Sequence, residues 1–155
     1  MQHDGNGWVL CGFGHRHWGR YGAAGLLLVD GRGPGPLVLL QHRAVWTANG
    51  DTWGLPGGAR DSHEDPVSAA LREAGEETGV RPAAVRVRGE LVDDHGAGWS
   101  YTTVLAALTD DVELEVEAES QELRWVPAAQ VTGLPLHPGF AGTWPELHER
   151  VRAGV

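Results

Sequence analysis

Three glutamates, Glu73, Glu76 and Glu77, fall within five consecutive positions of the stretch 57–80, GGARDSHEDPVSAALREAGEETGV, which also carries Asp61, Glu64 and Asp65. Like charges three or four residues apart on a helix repel one another, and Arg72 is the one cation adjoining the three. At ~100° per residue the three carboxylates share about 100° of helix surface, bordering an apolar stripe of Val67, Ala70, Leu71 and Ala74. They can therefore converge on one point. Such a cluster is either a solvated acidic face or the ligand set of a divalent cation. Oxygen ligands of this kind suit a hard ion such as Mg²⁺, with Mn²⁺ as a substitute, which keeps several waters and bridges carboxylates to phosphate oxygens. Two glycine features favour the second reading. Gly75 sits inside the helix at a cost of about 1 kcal/mol relative to Ala, which predicts a close backbone approach, and GLPGG ahead of the helix predicts a rigid, tight turn at Gly57 and Gly58.

The elements that must position this cluster are legible in outline. Asp65 as N-cap, Pro66 at the first helical position, and Gly79 followed by Pro82 predict a helix from about Pro66 to Thr78. Upstream, AAGLLLVD (23–30) and PLVLLQHR (36–43) read as two strands joined by GRGPG, and their continuous apolar character predicts burial on both faces. Residues 44–58 read as a loop with a short extended piece at 53–55. Downstream, AVRVRGELVDD, WSYTTVLAAL and ELRWVP predict three more strands, and a last helix is expected within 137–153. Strands on both sides of one central helix, with a second helix at the end, predict an α/β fold in which a mixed β-sheet is sandwiched between helices.

At 155 residues the chain is predicted to form a single domain, 1–155, with residues 1–20 as an N-terminal arm or edge strand. A formal charge of −9 argues against a grip on a nucleic acid polymer. Any anionic substrate then needs local help from a metal or a few arginines. Cys11 is the only cysteine, so no intrachain disulfide is available and a reducing, cytoplasmic setting is expected. No apolar run approaches the ~20 residues of a membrane span. CGFGHRHWG places Cys11, His15 and His17 within seven residues, a conceivable soft-metal site, although three ligands without a fourth form a weak zinc pattern.

Gly58, five residues, Glu64, seven residues, then Arg72-Glu73-Ala74-Gly75-Glu76-Glu77-Thr78-Gly79-Val80 resembles the Nudix box, G-x5-E-x7-R-E-U-x-E-E-x-G-U with U aliphatic. Every fixed position is present, and Ala74 is smaller than the usual aliphatic residue. The box covers about a seventh of the chain, and the surrounding strand order and WGLPGG also resemble the Nudix fold, an α/β/α sandwich. The resemblance implies hydrolysis of a nucleoside diphosphate linked to another moiety, by water attacking a phosphorus of the pyrophosphate. It further implies that Glu76 and Glu77 are the principal metal ligands, that Glu73 joins them or acts as base, and that a backbone carbonyl at Gly57 or Gly58, assigned to Gly58, completes the set. Arg72 orients the glutamates, and Glu64 shapes the turn between loop and helix. An additional acid from EVEAESQELRWVP is expected as metal ligand or base, with Glu119 first, Glu122 second and Glu117 third. Arg43 resembles a phosphate-contacting arginine. Among the tryptophans, Trp53 and Trp125 are expected in the core, while Trp46 and Trp99 are expected at loops where they could stack on a base.

Substrate signatures known from Nudix subfamilies are not met. His95 stands where a proline marks ADP-ribose enzymes, and Tyr101 comes several positions late for diadenosine polyphosphates. The short chain and W-x-LPGG lean towards a MutT-like enzyme acting on (d)NTPs, including oxidised ones. ADP-ribose or nucleotide-sugar hydrolysis, a non-catalytic nucleotide-sensing module and an acidic structural protein are the rival readings. Many relatives are dimers, so a homodimer is one assembly to test.

Overall fold

A computed structural model describes residues 3–155; the first two residues of the expected N-terminal arm lie outside the described residues. The arm is a hairpin: β1 (Trp8–Leu10) and β2 (Arg16–Trp18) pair antiparallel as a separate two-stranded sheet. The main sheet comprises β3 (Ala23–Asp30), β4 (Leu37–Arg43), β5 (Trp53–Gly54), β6 (Gly57–Ala59), β7 (Val85–Asp94), β8 (Ser100–Leu108) and β9 (Ser120–Pro127). Its order is β5-β4-β3-β8-β7, with β6 added to β3 and β9 to β4. Only the β3–β8 pairing is parallel, which makes the sheet mixed as expected.

Both faces of the central strands are buried, and the alternation along β3 assigns each face to one helix. Leu26 and Leu28 pack with Ala69, Ala70 and Ala74 of α1 (Pro66–Thr78). Leu27 and Val29 pack with Phe140, Trp144, Leu147 and Val151 of α2 (Pro138–Arg152). The result is the predicted α/β/α sandwich. Among the described residues no helix is long and apolar enough to cross a membrane.

Helix α1 begins and ends where its caps require. Asp65 accepts a bond from Ser68 N, and Gly79 at φ 78° adopts the left-handed conformation while its N–H bonds Gly75 O. Two glycine expectations need correction. Gly57 and Gly58 form no tight turn; they are strand β6, paired with Gly25 and Ala24. Their lack of side chains answers crowding instead: a Cβ at Gly57 would lie 2.4 Å from Ala24 O, and one at Gly58 would lie 2.7 Å from the Glu73 carboxyl carbon. Gly75, in contrast, makes no unusually close approach, since an added Cβ would meet Val80 O at an ordinary 3.4 Å. We therefore expect Gly75→Ala to stabilise the fold by about 1 kcal/mol, read as a higher Tm in thermal denaturation; a lower Tm would show that the space beside Gly75 matters.

Candidate active site

The carboxylates sit where α1 passes over β6. Pairing with β3 alternates along β6, as Leu26 N donates to Pro56 O and Arg60 N to Gly22 O. The antiparallel register makes Ala24 and Gly58 a pair whose backbone groups face each other, and turns the backbone of Gly57 outward. That outward N–H donates to Glu77 Oε2 at 3.2 Å. The carbonyl of Gly57, not that of Gly58, accordingly lies on the edge facing the glutamates. The backbone of Gly58, the sequence-based choice, is turned towards Ala24 instead, and its missing side chain leaves room for the Glu73 carboxylate.

Arg72 is the hub of the cluster. Its Nε donates to Glu64 Oε2 at 2.6 Å and its Nη2 to Glu64 Oε1 at 2.8 Å, a bidentate pair with a buried acid. Nη2 also reaches Ala59 O at 3.1 Å, and Nη1 reaches Glu73 at 3.1 Å and Glu76 at 3.5 Å. Asp61 stands 3.7 Å away. Four acids thus share one guanidinium whose donors are already committed. The bonds to Arg72 hold the Glu64 carboxyl below the usual carboxylate range.

Glu77 lies beyond that hub's reach and behaves oppositely. Burial, reinforced by the charges of Glu73 and Glu117, pushes its pKa up to about 9. Burial likewise raises Glu73, and the two carboxyl groups interact directly, so that they can share a proton. A proton therefore stands in for positive charge that the side chains do not supply. Carboxylate oxygens plus an outward carbonyl fit a hard divalent cation.

This has a measurable consequence for the metal-free protein. Glu77 holds its proton up to about pH 9 when folded but loses it near 4.5 when unfolded. The native state then binds more protons than the unfolded state across that window, so stability falls as pH rises, by at most about 1.4 kcal/mol per pH unit. With chelator present we expect Tm to drop between pH 6 and pH 9. Added Mg²⁺, binding only the native deprotonated cluster, should restore it, increasingly so at higher pH. A flat Tm profile in chelator would contradict the buried-proton reading.

The remaining sequence-predicted residues separate. Glu119 is exposed; its N–H donates to Glu117 Oε1 at 3.0 Å, and its carbonyl accepts from Ala44 N. Glu122 is engaged by Arg124 at 3.0 and 3.1 Å. Glu117 is the loop acid whose charge acts on Glu77, a ranking that depends on loop conformation and that no sequence signal provides. Arg43 is half-buried, and its Nε donates to Ala48 O. Trp46, in the loop that follows, is 66% exposed and free to meet a ligand. Trp99 corrects the expectation: it is buried, donates to Gly19 O at 2.8 Å and stacks on His17 at 3.9 Å, so it offers no face to a base. Trp53 is in the core as expected, and Trp125 is half-buried against the α1-side core.

Two residues near the cluster were not singled out as site residues in the sequence. Tyr101 rests its hydroxyl over Gly25, where a Cβ would come within 2.0 Å of it. Burial raises its pKa; the charge of Glu77 adds to this and that of Arg43 opposes it. Asp61 accepts from His3 N at 2.8 Å and Gly5 N at 3.0 Å, strapping the N-terminal segment to the loop ahead of α1.

Comparison with known proteins agrees with this fold. The NUDIX domain family matches residues 19–147. A Mycobacterium tuberculosis protein bearing the provisional name 8-oxo-dGTP diphosphatase 3 is 51% identical over 93% of this chain and 69% of its own length. A Bifidobacterium longum nucleoside triphosphate pyrophosphatase/Nudix hydrolase fusion protein is 41% identical over 97% of this chain and 32% of its own. The crystal structure of RenU, a Nudix hydrolase from M. smegmatis, superposes with a TM-score of 0.89 at 47% identity, covering 97% of this chain and 98% of that one.

Proposed function

Because the chain belongs to the Nudix family, whose hydrolases act on phosphoanhydride bonds, we propose that it is a Mg²⁺-dependent pyrophosphohydrolase of oxidised purine deoxynucleoside triphosphates, with 8-oxo-dGTP as the first candidate. The half-buried Glu73–Glu77 pair, of which Arg72 reaches Glu73 but not Glu77, is the observation that supports metal-assisted cleavage. The 51% identical relative named for 8-oxo-dGTP supports the choice of substrate.

In this reading Glu73, Glu76, Glu77 and the Gly57 carbonyl would hold the ion, with Glu117 ahead of Glu119 as the further acid. When bound, the ion would neutralise the diphosphate and lower the pKa of a coordinated water. The chain's own residues do the rest. Arg72 and Glu64 keep the glutamates aimed, while Glu73 or Glu117 takes the proton of the attacking water. Arg43 and Tyr101 border the space for the phosphates, and Trp46 supplies an exposed face for the base. Residues 1–155 act as one domain on a substrate drawn from the cytoplasmic nucleotide pool.

The test is a hydrolysis screen with Mg²⁺ or Mn²⁺ over 8-oxo-dGTP, dGTP, the other dNTPs, ADP-ribose, dinucleoside polyphosphates and nucleotide sugars. Higher kcat/KM for 8-oxo-dGTP than for dGTP, with no turnover in chelator, is expected. Preference for ADP-ribose would replace the substrate assignment, and binding without turnover would favour a sensing module. Light scattering on the same preparation tests for the homodimer.

A further inference from the structure

None of the residues assigned to this chemistry lies in the N-terminal hairpin, yet one of its faces is furnished for a different kind of ligand. Strand alternation puts Trp8, Leu10, Arg16 and Trp18 on one side and Val9, Cys11, His15 and His17 on the other. The turn closes with Cys11 N donating to His15 O at 2.9 Å, so the thiol and two imidazoles gather at the hairpin tip. One ligand atom from each of Cys11, His15 and His17 can be chosen so that all lie within 4.8 Å of one another. A tetrahedral zinc ion, ~2.3 Å from sulfur and ~2.0–2.1 Å from nitrogen, needs its ligand atoms roughly 3.3–3.6 Å apart. Side-chain rotation covers the difference of about 1 Å.

Independent observations point to a ligand at this spot. His17 Nε2 and His95 Nδ1 are buried with no hydrogen-bond partner among the described residues, and a buried polar atom left unpaired is costly. The His95 ring lies 4.8 Å from that of His17. Its other nitrogen, Nε2, is 2.9 Å from Asp93 Oδ2, the carboxylate partner that metal-binding imidazoles commonly have. Gly12 N donates to His95 O at 2.7 Å, which ties the hairpin tip to the loop between β7 and β8.

We propose that Cys11, His15 and His17 form a transition-metal site, suited to Zn²⁺ rather than Mg²⁺, with His95 beside the fourth position. Thiolate and imidazole donors select a softer ion than the carboxylates of α1 do, so the two sites are chemically distinct and this inference does not rest on the hydrolase reading. On binding, the Cys11 thiol loses its proton to solvent, and the ion pins the hairpin onto the β7–β8 loop.

Cobalt reports such a site directly. Co²⁺ is added to the chelator-treated 155-residue protein in excess Mg²⁺, and near-ultraviolet absorption is followed for the thiolate-to-cobalt charge-transfer band. Cys11 is the only cysteine in the chain, so any such band assigns its own ligand. One equivalent of Co²⁺ should develop the band and Zn²⁺ should bleach it. Cys11→Ser should abolish it, and His15→Ala, at an exposed position that folding tolerates, should weaken binding at least about tenfold. The proposal fails if protein that is folded by circular dichroism gives no band. It also fails if His15→Ala and His17→Ala both bind Co²⁺ as tightly as the unaltered protein, since the metal would then sit on the thiol alone.

Discussion

Glu77→Gln is expected to lower kcat by at least about a thousandfold, the equivalent of about 4 kcal/mol of transition-state stabilisation, while the protein stays folded. The two outcomes separate because of the buried proton. In the metal-free protein Glu77 is already neutral over most of the physiological range, its pKa pushed up to about 9 by burial and by Glu73. Glutamine resembles that neutral acid in shape and can still accept from Gly57 N, so little packing is disturbed. What it cannot do is ionise and hold a cation. The same variant should therefore lose the fall in Tm between pH 6 and pH 9 and gain nothing from Mg²⁺. Steady-state hydrolysis and thermal denaturation on one preparation check both halves. Near-normal turnover in Glu77→Gln would remove this residue from the metal site.

Arg72→Ala is expected to cost about 3–5 kcal/mol of stability, because it strands acids that one guanidinium now serves. Glu64 is buried with two bonds to Arg72, and Asp61 is buried 3.7 Å away. Removing the cation leaves that charge without compensation, and the Ala59 carbonyl without its donor. Arg72→Lys should rescue little, since a single ammonium cannot repeat the paired Nε and Nη2 contacts to Glu64 while reaching Glu73. Urea denaturation of the three proteins measures the cost. A loss below about 1 kcal/mol, the size typical of an exposed ion pair, would mean that the hub is dispensable.

Much of this architecture was readable before any fold was known, and for a common reason. The limits of α1 depend on Asp65, Pro66 and Gly79, which act on their own backbone neighbours. The strands at 23–30 and 37–43 follow from apolar runs long enough to be buried on both faces. The placement of Glu73, Glu76 and Glu77 on one flank of α1 follows from helical periodicity alone, while the fold decides that Glu73 meets Glu77 and that Glu76 stays exposed beside Arg72. Each of these is physics acting over a few residues. The features that escaped depend instead on which distant segments meet. Gly57 rather than Gly58 offers its carbonyl because pairing with β3 sets the direction of the β6 backbone. Glu117 rather than Glu119 bears on Glu77 because of how a loop some forty residues away is folded. Trp99 is withdrawn from any ligand because Gly19 and His17, some eighty residues earlier, close over it. Registers and long-range contacts of this kind carry no local signature, because a one-residue slip leaves composition and spacing unchanged while reversing which groups face the site.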